Sequence, residues 1–271
     1  MDRKELIKNI KIKKSMLCVG LDTDVQKIPA FLKKEYDNPV LEFNKRIIQA
    51  CQEYAVAFKI NTAFYEAQGI EGWHNLHETI KLIPEDVFII ADAKRADIGN
   101  TSKMYARAFF ENMNVDALTV APYMGKDSIS PFLEYKSKWI IVLALTSNKG
   151  SADFQYIKDK EGKFLFQHVL GKSSQWGDTG NMMFVVGATH PDDFDIIRKI
   201  VPEHFLLVPG IGAQGGDLHS VLSKAMNKDY GLLINSSRGI IYASDNRDFD
   251  LVAGQKAKEL RDIMSKYIDG V

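Results

Sequence analysis

Eight short apolar runs recur along this chain, and they constrain its fold more than any other feature. Most are rich in β-branched residues, and each ends in polar or small residues. The runs cover residues 17–22, 56–61, 87–94, 117–120, 139–146, 184–189, 205–210 and 232–237. Short continuous apolar runs of this kind are typical of strands in a parallel sheet that is covered on both faces.

Segments with a helical pattern separate these runs, among them residues 41–55, 100–113 and 191–201. Eight strands alternating with helices in about 250 residues predict an α/β fold, a closed (β/α)8 TIM barrel. An open, doubly wound sheet is the alternative. We expect one domain over residues 1–271, with an elaborated fifth crossover around 151–183 that contains a helix at 163–176.

The charge balance argues against two classes of partner. Lysine plus arginine and aspartate plus glutamate number 35 each, so no net field favours nucleic acid or an anionic membrane.

No apolar run approaches the roughly 18 residues needed to span a bilayer, and the charged N-terminus does not resemble a signal peptide. Two cysteines without metal-site spacing fit a reducing compartment. We therefore predict a cytoplasmic protein.

Polar residues follow the predicted strands at their carboxyl ends, where barrel enzymes carry their active sites. The opposite ends offer no comparable set, so we expect a single site. The candidates are Asp22; Lys59 and Asn61; Asp92, Lys94 and Asp97; Pro122 and Tyr123; Thr146, Ser147 and Asn148; Gly187 and Thr189; Pro209, Gly210 and Gly212; and Ser236, Ser237 and Arg238.

The densest charge cluster lies in ADAKRADIGNT, residues 91–101. Asp92 and Lys94 are two apart on a strand, which predicts that they point to the same side, whereas Asp97 belongs to the next loop. Lys59 ends another strand. Together these groups can neutralise one another inside a site. The alternatives are an ion-pair cluster that only caps the barrel and, for Lys59, an ordinary surface lysine.

Two further loops suggest a phosphate. VPGIGAQGG (208–216) follows the seventh strand and contains Gln214, and NSSRG (235–239) follows the eighth and contains Arg238. Barrels commonly bind phosphate in these two loops, and arginine can donate two parallel hydrogen bonds to it. We expect a phosphorylated small molecule whose reacting end lies near Lys59, Asp92 and Lys94. The histidines are scattered, so we expect no metal site. The sequence contains no GxGxxG motif, so we expect no dinucleotide cofactor.

The motif Asp92-x-Lys94-x-x-Asp97-Ile98 resembles the signature of the orotidine 5′-phosphate decarboxylase family, in its longer bacterial form. Matches extend from residue 17 to about 242. They include Leu21-Asp22, Lys59, Thr146-Ser147-Asn148, Pro209 to Gln214, and Arg238 ahead of Gly239-Ile240-Ile241-Tyr242.

The resemblance implies a lyase that converts orotidine 5′-phosphate to UMP, the last step of pyrimidine nucleotide synthesis, without metal or organic cofactor. Lys94 would protonate C6 as the carboxylate leaves. Asp92 would lie against that carboxylate, and Lys59 would hold Asp92 and the ribose. Asp97 would come from the partner subunit of a homodimer and complete an alternating Lys-Asp-Lys-Asp array.

The remaining substrate-binding residues are also implied by the resemblance. Asp22 would bind the ribose and Ser147 the pyrimidine, while Ile98 and Thr101 of the partner would touch the ligand. Pro209, Gln214 and Arg238 would hold the phosphate.

Two other functions remain open from the residues. Related barrels with an Asp-x-Lys-x-x-Asp motif decarboxylate sugar phosphates such as 3-keto-gulonate 6-phosphate and use Mg²⁺. A barrel could also bind a nucleotide without catalysing a reaction. The Thr146-Ser147-Asn148 loop and the position of Lys59 favour a pyrimidine substrate.

Overall fold

The computed structural model of the chain describes residues 1–189, 191–211 and 216–270. Eight strands form a closed barrel in chain order, so the predicted (β/α)8 fold is confirmed and the open sheet is excluded. The pairs β1–β2, β2–β3, β4–β5, β5–β6 and β6–β7 run parallel. The strands are β1 (Leu17–Gly20), β2 (Ala57–Asn61), β3 (Phe88–Arg95), β4 (Ala117–Val120), β5 (Trp139–Leu145), β6 (Met182–Val186), β7 (Phe205–Pro209) and β8 (Leu232–Ser236).

One helix precedes the first strand, and the others follow strands, as expected for this fold. They are α1 (Arg3–Lys13), α2 (Ala30–Glu35), α3 (Pro39–Cys51), α4 (Ala63–Glu66), α5 (Gly69–Leu82), α6 (Gly99–Ala106), α7 (Ser130–Leu133), α8 (Leu165–Ser173), α9 (Phe194–Ile200), α10 (Leu218–Ala225), α11 (Arg238–Ile241) and α12 (Phe249–Ile268). Within the described ranges, none of these helices has the length and apolarity needed to cross a membrane.

Local chemistry explains where several helices begin. α3 has Pro39 at its first position, and the Asn38 side chain accepts a hydrogen bond from the Leu41 N–H. Asp217 caps α10 in the same way. The helix predicted at 100–113 divides into α6 and a π-helical continuation, Arg107–Asn112.

The chain divides into two compact units. The first unit comprises Met1–Ile7 and Lys94–Ile234, and the second comprises Lys8–Ala93 and Asn235–Val271. The first contains β4 to β7, and the second contains β1 and β2. The expectation of one undivided domain stays a prediction.

Aromatic packing joins α3 to α12 in the second unit. The Phe43 ring stacks on Phe249, with the centroids 5.0 Å apart, and lies 5.8 Å from the Tyr242 ring. Arg46 covers Phe249 and donates a hydrogen bond to Asp250 at 2.8 Å. Buried aromatic rings contribute much of the apolar area that stabilises such a layer.

The fifth crossover lies in the first unit, and its elaboration around 151–183 stays a prediction. A 3₁₀ turn at Lys149–Asp153 leads to an antiparallel bridge between Lys158 and Phe164, and α8 follows. α8 is shorter than the predicted helix at 163–176, because the bridge holds its first residues in extended backbone and Ser174–Trp176 turn away after Ser173.

His204 is buried just before β7, and neither ring nitrogen has a hydrogen-bond partner among the described residues. Burial, followed by the positive charges of Arg3 and Arg198, lowers the pKa of His204 to about 4, although Asp178 and Glu203 act weakly in the other direction. His204 is therefore neutral in the folded protein at neutral pH.

Acidification is expected to destabilise the fold through His204. The unfolded chain takes up this proton near pH 6.5 and the folded chain only near pH 4, so the free energy of unfolding falls as pH drops through that window. Between pH 7 and pH 5, this single group should lower the free energy of unfolding by about 1–2 kcal/mol. Urea unfolding of wild type and His204→Phe at both pH values measures it. An equal loss in the two proteins would contradict the expectation.

Candidate active site

A buried ion pair lies at the carboxyl ends of β2 and β3 in the second unit. The Lys59 ammonium donates to Asp92 Oδ2 at 2.9 Å and lies 3.5 Å from Asp22 Oδ1. Lys59 is 4% exposed and Asp92 is 9% exposed. The alternative of a surface lysine is therefore wrong, and the Lys59 ammonium lies close to the carboxylates of both Asp92 and Asp22.

Strand register explains why these three residues meet. Gly20 pairs with Lys59, and Lys59 pairs with Ile90. Residues in register on parallel strands point to the same side, and so do residues two apart on one strand. Asp92 therefore shares the side of Lys59. Backbone pairing continues past β1, where the Leu21 N–H donates to the Lys59 carbonyl at 2.8 Å and brings Asp22 close.

The surrounding charges keep Lys59 protonated. Its burial acts to lower the pKa, but the negative charges of Asp92 and then Asp22 outweigh that effect, so the pKa of Lys59 is raised above its ordinary value. A permanently charged ammonium can hold two carboxylates in fixed positions. The same group is poorly suited to act as a base near neutral pH.

Two tyrosines fix the backbone around Asp22, and the sequence analysis assigned a role to neither of them. The Tyr242 hydroxyl donates to the Asp22 carbonyl at 3.0 Å and accepts from the Asp24 N–H at 2.7 Å. The Tyr65 hydroxyl donates to the Leu21 carbonyl at 3.2 Å. Burial raises the pKa of Tyr65 to about 12, which keeps it a donor.

A buried polar network supports Tyr65. The Asn44 amide donates to the hydroxyls of Tyr65 and Thr79, and its carbonyl oxygen accepts from Thr23 at 2.6 Å. Asn44 lies within an otherwise apolar helix face, which is the only sequence signal that could have indicated this network.

Lys94 lies in the first unit. It is exposed and has φ of +48°, a left-handed conformation that is uncommon for residues other than glycine. Its N–H donates to Thr119 Oγ1 at 2.9 Å. Because of this φ, strand alternation alone does not determine where the Lys94 side chain points. Strained backbone of this kind concentrates at functional sites.

Asp97 and Ile98 lie in the loop after β3, and Thr101 lies in the first turn of α6. The Ile98 N–H donates to Asp97 Oδ1 at 2.8 Å, and the Ser102 hydroxyl donates to the Asp97 carbonyl. Ile98 is 53% exposed and Thr101 is also exposed. The loop is thus ordered by its own hydrogen bonds while it presents an apolar side chain to the surface.

The remaining predicted residues also follow strand ends. Ser147 follows β5, and the Thr189 hydroxyl donates to its carbonyl at 3.4 Å. Pro209 ends β7, and Gly210 has φ of +101°, which glycine adopts without strain. Gln214 lies outside the described residues. In the second unit, Arg238 begins α11 and is exposed.

The polar side chains of the candidate site end in charged nitrogen and oxygen groups. Among the described residues, no group of three or more His, Cys, Asp or Glu side chains is arranged to hold a metal ion. Burial raises the pKa values of the free thiols Cys18 and Cys51 to about 12 each, so both are unreactive thiols at neutral pH.

Comparison with known proteins shows the family of the chain. The profile of the Orotidine 5'-phosphate decarboxylase / HUMPS family matches residues 15–248. An orotidine 5'-phosphate decarboxylase of Phocaeicola vulgatus is 57% identical over 271 residues, which cover 99% of each chain.

Two solved structures extend the similarity. The Leishmania donovani OMP decarboxylase has a TM-score of 0.81 and 38% identity, over 96% of this chain and 99% of that one. The Leishmania donovani UMP synthase has a TM-score of 0.81 and 39% identity over 94% of this chain, which spans only 56% of that longer protein. From the family match and the full-length relative, this chain belongs to the orotidine 5′-phosphate decarboxylase family.

Proposed function

We propose that this chain decarboxylates orotidine 5′-phosphate to UMP and CO₂ without a cofactor, with Lys94 as the acid that protonates C6. The observation that carries the proposal is the buried Lys59–Asp92 ion pair, with Asp22 beside it, at the ends of neighbouring strands. In the reaction, the bond between C6 and the carboxylate carbon breaks, its electrons stay on C6, and a Lys94 proton is transferred to that carbon.

The ion pair is better explained by catalysis than by stability. Removing two charges from water costs several kcal/mol per ion, and the mutual attraction of a buried pair often only offsets that cost. An apolar pair of similar volume would fold as well. Lys59 therefore serves to fix the Asp92 carboxylate, which would lie against the departing carboxylate of the substrate.

Lys94 suits the developing charge. Loss of CO₂ leaves electrons in an in-plane orbital at C6, where the ring gives little resonance stabilisation. A fixed ammonium opposite that carbon stabilises this charge in the transition state more than in the ground state. Asp92 and Asp97 would lie on either side of Lys94 and complete the alternating array of lysines and aspartates.

The phosphate and the base would be held by separate loops. Arg238 can donate two parallel hydrogen bonds to phosphate oxygens, aided by Pro209 and Gln214. Asp22 would bind the ribose and Ser147 the pyrimidine. Binding energy from the phosphate, which does not react, can position the ring for reaction.

We further propose a homodimer in which Asp97, Ile98 and Thr101 enter the site of the other copy. Support comes from apolar side chains that the first unit leaves exposed after β3 and β4. Ile98 is 53% exposed, Tyr123 95% and Met124 50%. A second copy of the chain would cover such side chains, because isolated apolar groups of this size gain stability when they are removed from water.

The direct test is turnover of orotidine 5′-phosphate in excess EDTA, followed by the ultraviolet change as UMP forms. We expect full activity, because the proposed steps require only side chains of the protein. The control is the same protein with Mg²⁺ and 3-keto-gulonate 6-phosphate, where no decarboxylation is expected. Activity on that sugar phosphate, together with no formation of UMP, would contradict the proposal.

A further inference from the structure

The Gln155 side chain holds Thr146 by two hydrogen bonds within the first unit. Gln155 Oε1 accepts from the Thr146 N–H at 2.8 Å, and Gln155 Nε2 donates to Thr146 Oγ1 at 2.9 Å. The Thr146 hydroxyl in turn donates to Asn148 Oδ1 at 2.6 Å. One side chain from the fifth crossover thus determines the conformation at the start of the loop that contains Ser147.

The Gln155 backbone is itself fixed on both sides. Its N–H donates to the Ser151 carbonyl at 2.8 Å, and its carbonyl accepts from the Phe166 N–H at 3.1 Å. The neighbouring Tyr156 ring packs against Phe164 and Phe166 at centroid distances of 5.2 and 5.6 Å. The carboxamide therefore extends from a well-packed part of the crossover.

The opposite side of the loop is equally restricted. A Cβ atom added at Gly187 would lie 2.7 Å from the Ser147 nitrogen, so only glycine allows this close approach. The Thr189 hydroxyl donates to the Ser147 carbonyl. Ser147 is held between the end of β6 on one side and the Gln155–Thr146 pair on the other.

We infer that Gln155 is a positioning residue that sets the conformation of residues 146–148 and thereby the recognition of the pyrimidine ring. This inference rests on the proposed function, in which Ser147 contacts that ring. A carboxamide can accept from the Thr146 N–H with its oxygen and donate to Thr146 Oγ1 with its nitrogen, whereas a carboxylate can only accept. The N–H needs an acceptor, and Oγ1, which already donates to Asn148, needs a donor.

Two variants of Gln155 test the inference. Gln155→Glu keeps the acceptor for the Thr146 N–H but removes the donor, and Gln155→Met removes both. We expect affinity for UMP to fall about tenfold in Gln155→Glu and further in Gln155→Met, since a site that loses fixed polar contacts discriminates poorly. Affinity for ribose 5-phosphate, which lacks the base, should stay within about twofold of wild type. KM for orotidine 5′-phosphate should rise more than kcat falls.

The matched control is Gln167→Glu, on the same crossover. The Gln167 Oε1 atom accepts from the Phe164 N–H, so glutamate preserves that bond, and no change in affinity is expected. Isothermal titration with UMP and ribose 5-phosphate measures all four proteins, and circular dichroism verifies their folding. If Gln155→Glu does not fold, the comparison rests on Gln155→Met, whose side chain has a similar volume.

The possible outcomes separate this inference from the proposed function. A wild type that neither binds UMP nor forms it would overturn both. Turnover by wild type with unchanged UMP affinity in folded Gln155 variants would overturn the positioning role alone. Equal weakening of UMP and ribose 5-phosphate would also overturn it, because a general structural defect would then explain the loss.

Discussion

Replacement of Lys94 by alanine is expected to lower the rate of decarboxylation about 1000-fold or more, while the fold is kept. The variant loses both the ammonium that stabilises charge at C6 and the proton that C6 receives. Lys94 is exposed, so truncation leaves no cavity in the core. Steady-state turnover of orotidine 5′-phosphate measures the effect. Lys103→Ala is the control, because Lys103 is an exposed lysine of α6 whose nearest carboxylate is Glu134 at 3.4 Å. That variant should keep full activity.

Glycine at position 94 distinguishes catalysis from stability. A residue with a Cβ costs about 1–2 kcal/mol in the left-handed region, whereas glycine loses about 0.5–1 kcal/mol of chain entropy. Lys94→Gly should therefore be as inactive as Lys94→Ala, yet have a free energy of unfolding up to about 1.5 kcal/mol higher in urea. Retention of more than about a tenth of the activity in either variant would exclude Lys94 as the proton donor.

Strands were the most predictable part of this fold. Continuous apolar runs gave all eight, and β4, Ala117–Val120, has the predicted bounds. β6 was displaced. It begins at Met182 rather than at residue 184, because Met182 and Met183 are buried strand residues without β-branching. It ends at Val186 because Gly187 already turns against Ser147.

The burial of Lys59 could not be derived from its own surroundings in the sequence. A lysine after an apolar run is as compatible with a surface position as with a buried one. The carboxylates that decide its state are 33 and 37 residues distant in sequence, and only the register of three strands brings them together. The resemblance of the motif to a known family supplied the information that local patterns lacked.

The φ of Lys94 and the role of Gln155 were also beyond sequence reasoning. Strand periodicity assumes extended backbone, and no local signal in AKRAD indicates a left-handed residue. Gln155 lies in a polar crossover without regular periodicity, and its partner Thr146 is reached only after the chain turns back on itself. Polar contacts between loops depend on tertiary structure, so single-sequence patterns rarely predict them.

Mixing two inactive variants, Lys94→Ala and Asp97→Ala, is expected to restore about a quarter of wild-type activity if Asp97 acts across a homodimer. Random exchange makes half of the dimers mixed. In each mixed dimer, one site receives Lys94 from one copy and Asp97 from the other, while the second site lacks both. If Asp97 acted in its own copy, every site would lack one of the two groups and no activity would return.

The control for this experiment is a mixture of Lys94→Ala with Lys59→Ala. The proposed array draws both lysines from one copy, so every site in these mixed dimers lacks one lysine, and no recovery is expected. Differently tagged subunits establish that exchange has occurred. Recovery in the Lys59 mixture, or none in the Asp97 mixture despite exchange, would contradict the arrangement. If activity recovers in the Asp97 mixture but not in the Lys59 mixture, Lys94 and the Lys59–Asp92 pair must belong to one copy and Asp97 to the other.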